Sequence, residues 1–315
     1  MSLLAVIFGV GVEVRNALYE RQMLKSRRLT GPVVSIGNLS TGGAGKTPFV
    51  ILLGELLKAR GVAFDVLSRG YGRKTKGVRM VDPGGSARDF GDEPLLIARR
   101  LQVPVVVGED RYAAGRAAEE KFGVQLHLLD DGFQHRALAR DFDIVLVTPE
   151  DARDRLLPAG RLREPVAALA RAHAVVLTSG ADPAGFPVDG KLVWRARRGI
   201  IPGSVPSQPV AFCGIARPQS FFLQLRAAGI VPASEAVYRD HHAYTDADIR
   251  ELQALRQHSG AGGFVTTEKD AVNLGGLLSA LEPLAVVPVR MELEEAQAAV
   301  DAVMAALPRR VTREP

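Results

Sequence analysis

Short apolar stretches alternate with helix-like stretches through the first half of this chain. Residues 32–36, 63–68, 103–107, 124–129, 143–147 and 174–178 are rich in Val, Ile and Leu and read as strands. Between them, 48–58, 93–101 and 112–122 carry helical patterns. This alternation predicts a parallel α/β sheet with covering helices, which binds ligands beyond the carboxyl ends of its strands. Residues 181–209 are rich in Pro and Gly around a basic strand at 191–198 and read as a linker or hinge. A second βα set follows, with strands at 210–214, 263–267 and 285–289, a helix at 219–228 and an amphipathic last helix at 292–307. The expected organisation is an N-terminal helix over 1–28, a larger α/β domain over 29–198 and a smaller α/β domain over 199–315. The last helix is free to pack back on either domain. No internal repeat is present.

At the N-terminus, Leu4, Ile7, Phe8, Gly11, Val14 and Leu18 fall at helical spacing. Arg15, Arg21, Lys25, Arg27 and Arg28 gather toward the C-terminal half of that segment. The longest apolar run, residues 3–12, is far short of the roughly 20 residues that span a bilayer. It also lacks the basic leader and cleavage site of a signal peptide. Such a helix lies in a membrane interface with its arginines on anionic head groups, or it packs on the protein's own core. The basic flank favours the interface.

Composition narrows the class. With 24% charged and 47% apolar residues the chain is an ordinary globular protein, which excludes disorder as the default. Cys213 is the single cysteine, so internal disulfides and Cys-rich zinc sites are excluded. A net charge of +5 suits anionic partners. Aromatics at 6% and the lack of a nucleic-acid motif argue against a base-stacking platform.

The sharpest chemical signal is Ser40-Thr41-Gly42-Gly43-Ala44-Gly45-Lys46-Thr47, placed after one strand and before a Pro-initiated helix. It is the phosphate-cradling loop Gly-x-x-x-x-Gly-Lys-Thr with Ser40 at the first glycine. Glycines let backbone N–H groups turn toward a triphosphate, and the helix N-terminus adds partial positive charge. Lys46 is placed to reach the terminal phosphates, and the Thr47 hydroxyl to ligate magnesium. A plain Gly-rich turn is the bland alternative, and the flanking elements argue against it.

Further carboxylates complete such a site. The strand at 126–129 ends in Asp130-Asp131-Gly132, where a magnesium partner belongs. Gly91-Asp92-Glu93-Pro94 opens a helix, so Asp92 by itself reads equally as an N-cap. In the second domain, Asp240-His241-His242 and Thr266-Thr267-Glu268-Lys269-Asp270 are polar loops. The paired histidines have no further ligand at zinc spacing, whereas a His beside an Asp serves as a general base.

Taken in order, these pieces resemble the tetraacyldisaccharide 4'-kinase family nearly end to end. The resemblance rests on Ser35-Ile36-Gly37-Asn38-Leu39-Ser40, Leu67-Ser68-Arg69-Gly70-Tyr71, Gly91-Asp92-Glu93-Pro94 and Glu109-Asp110-Arg111-Tyr112. Leu129-Asp130-Asp131-Gly132-Phe133-Gln134-His135, Leu156-Leu157-Pro158-Ala159-Gly160, Leu162-Arg163-Glu164-Pro165 and Asp240-His241-His242 complete it. It implies a P-loop NTPase-like parallel sheet and transfer of the γ-phosphate of ATP to the 4'-hydroxyl of an acylated disaccharide 1-phosphate. It also implies ATP and Mg2+ as cofactors, with Asp130 or Asp131 as the magnesium carboxylate. Asp92 resembles the catalytic base, paired with His241, while Glu93, Arg111 and Gln134 match other active-site positions that neutralise charge and orient phosphate. The family implies a peripheral protein of the bacterial inner membrane's cytoplasmic face, held by its N-terminal helix, with no obligate protein partner. Phe8 and Tyr19 are the only rings here to seek an interface. Two other classes share fragments of the pattern: membrane-associated switch ATPases, which have a lysine where this chain has Thr41, and non-catalytic nucleotide-binding scaffolds.

Overall fold

The structure, a computed structural model, describes residues 3–307; residues 1–2 and 308–315, the ends of the expected first and last segments, lie outside the described residues. The chain runs α1 (Leu3–Glu20), β1 (Val33–Asn38), α2 (Lys46–Ala59), β2 (Phe64–Ser68), β3 (Arg79–Met80), α3 (Ala87–Phe90), α4 (Asp92–Leu101) and β4 (Val105–Val107). Next come α5 (Arg111–Phe122), β5 (Leu126–Asp130), β6 (Phe142–Val147), β7 (Ala174–Thr178) and β8 (Leu192–Ile200). β9 (Val210–Cys213), α6 (Pro218–Ala227), β10 (Ser234–Val237), α7 (Asp246–Ser259), β11 (Phe264–Thr267) and α8 (Glu268–Leu274) precede β12 (Leu284–Val287), β13 (Val289–Leu293) and α9 (Ala296–Ala306).

Among the described residues the strands form a nine-stranded sheet, β13-β8-β7-β6-β1-β5-β2-β4-β3, and a four-stranded sheet, β10-β9-β11-β12. The larger sheet is parallel except at its two edges, where β3 and β13 pair antiparallel. The smaller sheet is parallel throughout. β1, β2, β5, β6 and β7 are buried along their whole lengths, which is why they read as largely apolar runs, broken by single polar residues such as Asp65, His127 and Asp143. β1 sits between β5 and β6 and delivers the glycine-rich loop to the carboxyl edge of the sheet. On one face, Phe49, Leu53 and Leu57 of α2 and Ile97 of α4 pack against Val34, Ile36 and Leu128. Each such buried side chain contributes roughly 1.5–3 kcal/mol.

Two sequence expectations are corrected. The basic strand inside the presumed linker, β8, is a full member of the larger sheet, between β7 and β13. The last helix does not begin at 292, because Met291 and Leu293 are buried while Arg290 and Glu292 are exposed. That period of two makes 289–293 a strand, and its pairing with β8 carries the chain back to the larger sheet. α9 then packs Ala299, Val300 and Val303 into the same core as α2. β10, α7 and α8 were not anticipated. β10 is half-exposed, and the helices carry acidic first turns over few apolar positions, so their periodicity is faint.

One close approach ties the fold to the site. A Cβ on Gly37, at the end of β1, would meet the Phe133 backbone nitrogen at 2.8 Å and its Cβ at 2.5 Å. Backbone cannot yield as a flexible side-chain tip does. Gly37→Ala is expected to cost about 2 kcal/mol of stability and to displace the Asp130–Gln134 turn. A thermal melt several degrees below wild type checks the first effect, and weakened nucleotide binding by calorimetry checks the second.

Candidate active site

The carboxyl edge of the larger sheet faces the smaller one across a cleft of about 600 Å³ lined by both. Thr41 to Thr47, Asp92, Glu93, Asp130, Asp131, Arg163, His241 and Lys269 share its wall. The glycine-rich loop has the backbone it requires: Gly42, Gly43 and Gly45 have φ of 68°, 73° and 89°, the left-handed region that side chains resist. Helix α2 begins directly after it at Lys46 with no side-chain cap, so its first N–H groups face the cleft.

Lys46 is held from two sides. Its Nζ donates to Asn38 Oδ1 at 3.0 Å and lies 3.5 Å from Asp131. Arg163 donates to both oxygens of Asp131, at 2.9 and 2.8 Å, and also to Asn38 Oδ1. Burial works against ionising Asp131, yet Lys46 and Arg163 hold it well below the ordinary carboxylate range. Its neighbour behaves oppositely. Asp130 accepts from Ser68 Oγ at 2.9 Å through Oδ2, while Oδ1 is buried with no hydrogen-bond partner among the described residues. Burial, then the charges of Glu93 and Asp131, push Asp130 up to about 7. A buried carboxyl with a free oxygen beside other carboxylates suits a cation, which restores its ionised form.

The second cluster joins the two sheets. His241 Nδ1 lies 2.9 Å from each oxygen of Asp92. Asn273 Nδ2 donates to Asp92 Oδ2 at 3.0 Å, and Lys269 Nζ is 3.9 Å from the same oxygen. Lys269 also lies 3.7 Å from Glu93 and 2.8 Å from Asp240. Burial would raise Asp92, but the His241 hydrogen bond and the Lys269 charge hold it below its usual value. Burial lowers His241, and Asp92 overcomes that to raise it. Lys269 Nζ stands 3.4 Å from His241 Nε2, an arrangement that suits a proton on Nδ1 and a lone pair on Nε2. Asp131 and His241 both hold positive φ, 50° and 57°, the local strain that recurs at working residues.

The structure thus gathers Thr41, Gly42, Gly43, Ala44, Gly45, Lys46, Thr47, Asp92, Glu93, Asp130, Asp131 and His241 in one cleft. Ser40, Arg111 and Gln134 do not line it. Ser40 is fully buried behind the loop, bridged to Leu162. Gln134 donates to the Asn38 carbonyl at 3.0 Å, bracing the end of β1. Arg111 is buried and donates to the Glu109 carbonyl at 3.0 Å; burial, then the nearby Arg69, lower its pKa, while Asp130 and Asp131 act in the opposite sense. Sequence reasoning assigned no role to Arg163, Asn38, Lys269 or Asn273. Arg163, Asn38 and Lys269 lie within the sequence motifs, but only the fold shows whom they pair with.

Comparison with known proteins shows what the chain as a whole is similar to. The family model described as tetraacyldisaccharide-1-P 4'-kinase matches residues 1–308. A tetraacyldisaccharide 4'-kinase of Koribacter versatilis is 51% identical, covering 98% of this chain and 99% of its own. One from Chlorobaculum tepidum is 40% identical, covering 84% and 83%. A crystal structure of the Aquifex aeolicus protein in complex with ATP superposes with a TM-score of 0.80 at 34% identity, covering 97% of this chain and 98% of that one. A family model matched from residue 1 to 308, a relative 51% identical over nearly the whole of both chains and a fold shared along 97% of this chain place it in the tetraacyldisaccharide-1-P 4'-kinase family.

Proposed function

We propose that this cleft transfers the γ-phosphate of ATP to the 4'-hydroxyl of an acylated glucosamine disaccharide 1-phosphate, a step of lipid A biosynthesis. The observation that carries the reading is the shared wall of the cleft, with Lys46 and the loop amides on one side and the Asp92–His241 pair on the other. Phosphoryl transfer asks the protein mainly for positioning and charge neutralisation. The loop N–H groups and Lys46 hold the terminal phosphates, and Arg163 keeps Asp131 occupied so that Lys46 stays aimed. Arg111 acts from behind the wall as a buried cation rather than as a direct contact. The residues fit a divalent cation. Thr47 and Asp130 would hold magnesium, with Glu93 adding negative charge, and the ion would neutralise charge on the phosphates. Asp131, tied at both oxygens, is the weaker candidate ligand.

The acceptor hydroxyl has a pKa far above 7, so a base must take its proton as attack proceeds. Asp92, held ionised by His241 and Lys269, is that base, and His241 orients it. Because the pair is assembled from two sheets, ordering both sides of the cleft completes the site and excludes water.

Attachment to the membrane rests on α1. Among the described residues no helix is long and apolar enough to cross a membrane. Leu3, Leu4, Ile7, Val10 and Val14 are each more than half exposed, and Gly9 is the one buried residue of α1. Those five lie on one helical face directed away from the protein, which supports an interfacial helix on the cytoplasmic face of the inner membrane. The supporting cast differs from expectation. Arg27 and Arg28 are paired with Asp110 and Asp141, and Tyr19 lies beneath Arg136, so these groups also tie the N-terminal segment to the protein. Phe8 is likewise half-buried.

Three outcomes follow from this reading. Lys46→Ala should lower turnover by a factor of about 10³ or more with the fold intact; near-normal radiolabel transfer from ATP to the lipid acceptor would refute the phosphate site. Asp92→Ala and His241→Ala should each reduce kcat with little change in KM for ATP, and the double mutant should lose little more than the worse single. Independent, multiplicative losses that track lowered melting temperatures would show a structural pair instead. Leu4→Asp with Ile7→Asp should release the protein from anionic vesicles in a flotation assay while leaving its melting temperature unchanged, whereas unchanged flotation would remove α1 as the anchor.

A further inference from the structure

The polar edge by which α1 docks touches the same two loops that carry the site. Asn16 Nδ2 donates to Glu164 Oε2 at 2.8 Å, and Arg15 stands 3.8 Å from Glu164 Oε1. Glu164 has a fully buried side chain and also accepts from Arg171 Nη2 at 2.8 Å. The residue before it, Arg163, is the one that grips Asp131 and Asn38, and Asn38 in turn holds Lys46. The second loop repeats the arrangement. Asp131 lines the cleft, while Arg136, five positions on, donates to the Asn16 carbonyl at 3.1 Å and packs over the Tyr19 ring. Arg171 closes the circuit, with its guanidinium 4.5 Å above the Phe133 ring that abuts Gly37.

We infer that α1 is a positioning element for the phosphate site, acting through Asn16 and Glu164 on Arg163, in addition to serving as an attachment. The inference rests on the reading of the cleft given above. The junction is only half satisfied: Glu164 Oε1, Asn16 Oδ1, Arg15 Nε and Arg171 Nε are buried without hydrogen-bond partners among the described residues. A partly satisfied buried network is where a small movement changes the most. Arg15 needs to advance by less than an ångström to bond Glu164 Oε1 (3.8 Å now, about 2.9 Å when bonded). Seating α1 on a surface closes that contact, fixes Glu164 and thereby Arg163, and holds Asp131 and Lys46 in line.

The test uses the full chain, ATP and an acylated disaccharide 1-phosphate presented in anionic vesicles. Asn16→Ala should lower kcat about tenfold, the effect of one hydrogen bond to a charged group. KM for ATP and vesicle flotation should stay at wild-type values, while the melting temperature falls by only the few degrees that one lost hydrogen bond to a charged group costs. Asn16→Gln, which keeps the amide, should recover much of the loss, and Asn16→Asp, which sets like charge against Glu164, should be worse than alanine. Glu164→Gln should reproduce the Asn16→Ala phenotype if it folds; the Asn16 series decides the matter if it does not. Wild-type kcat in Asn16→Ala, a kcat loss matched by lost flotation, or a kcat loss that vanishes at assay temperatures well below the variant's melting temperature, would overturn the inference. Failure of the underlying reading shows separately, as activity retained in Lys46→Ala.

Discussion

The contact between Asp92 and His241 is the constraint on which the rest of the molecule depends. Asp92 opens α4 on the larger sheet, and His241, Asn273 and Lys269 reach it from the smaller unit. A buried carboxylate stripped of its partners costs several kcal/mol, so the approach of the two units is fixed by the need to keep Asp92 compensated. The same compensation leaves the carboxylate ionised and aimed, the state a base requires. Structure and chemistry are served by one set of bonds. Pulling the units apart removes the proposed base from the cleft as well as a contact from the fold.

Charge is sorted across the cleft with similar economy. The two adjacent carboxylates at the end of β5 are driven apart. Asp131 is neutralised by Lys46 and Arg163, whereas Asp130 keeps an oxygen free and is raised to about 7. One becomes a fixed part of the lysine's mounting, and the other becomes the natural receptor for a cation. Local backbone makes the difference, since Asp131 sits in a left-handed turn at φ 50° while Asp130 ends the strand.

Much of this could be read from the chain itself, for a physical reason. Central parallel strands are buried on both faces, so β1, β2, β5, β6 and β7 declare themselves as apolar runs, and the loop after β1 carries its own glycine code. Asp92 and His241 were visible as candidates, but their contact spans 149 residues and no local pattern encodes it. The same limit hid Lys269, Asn273 and Arg163 as partners. It also made Arg27 and Arg28 look free when Asp110 and Asp141 hold them. The edge strand β13 was misread as helix because an exposed edge alternates instead of running apolar and 289–293 sits directly against a helix, whereas β8, one strand in from that edge, was read as a strand but placed in a linker because it too alternates. Arg111 and Gln134 belong to the layer behind the cleft, and sequence motifs do not separate layers.

On the proposed function, the base and the phosphate site complete one another only around the acceptor, so ATP is not spent on water. The direct measurement is the fate of the γ-phosphate: label transferred to the acylated disaccharide 1-phosphate against label released as inorganic phosphate, with and without acceptor. The account predicts nearly one labelled lipid per ATP consumed, and little phosphate release when the acceptor is left out. Release of phosphate at the same rate without acceptor, with no label in the lipid, would contradict it.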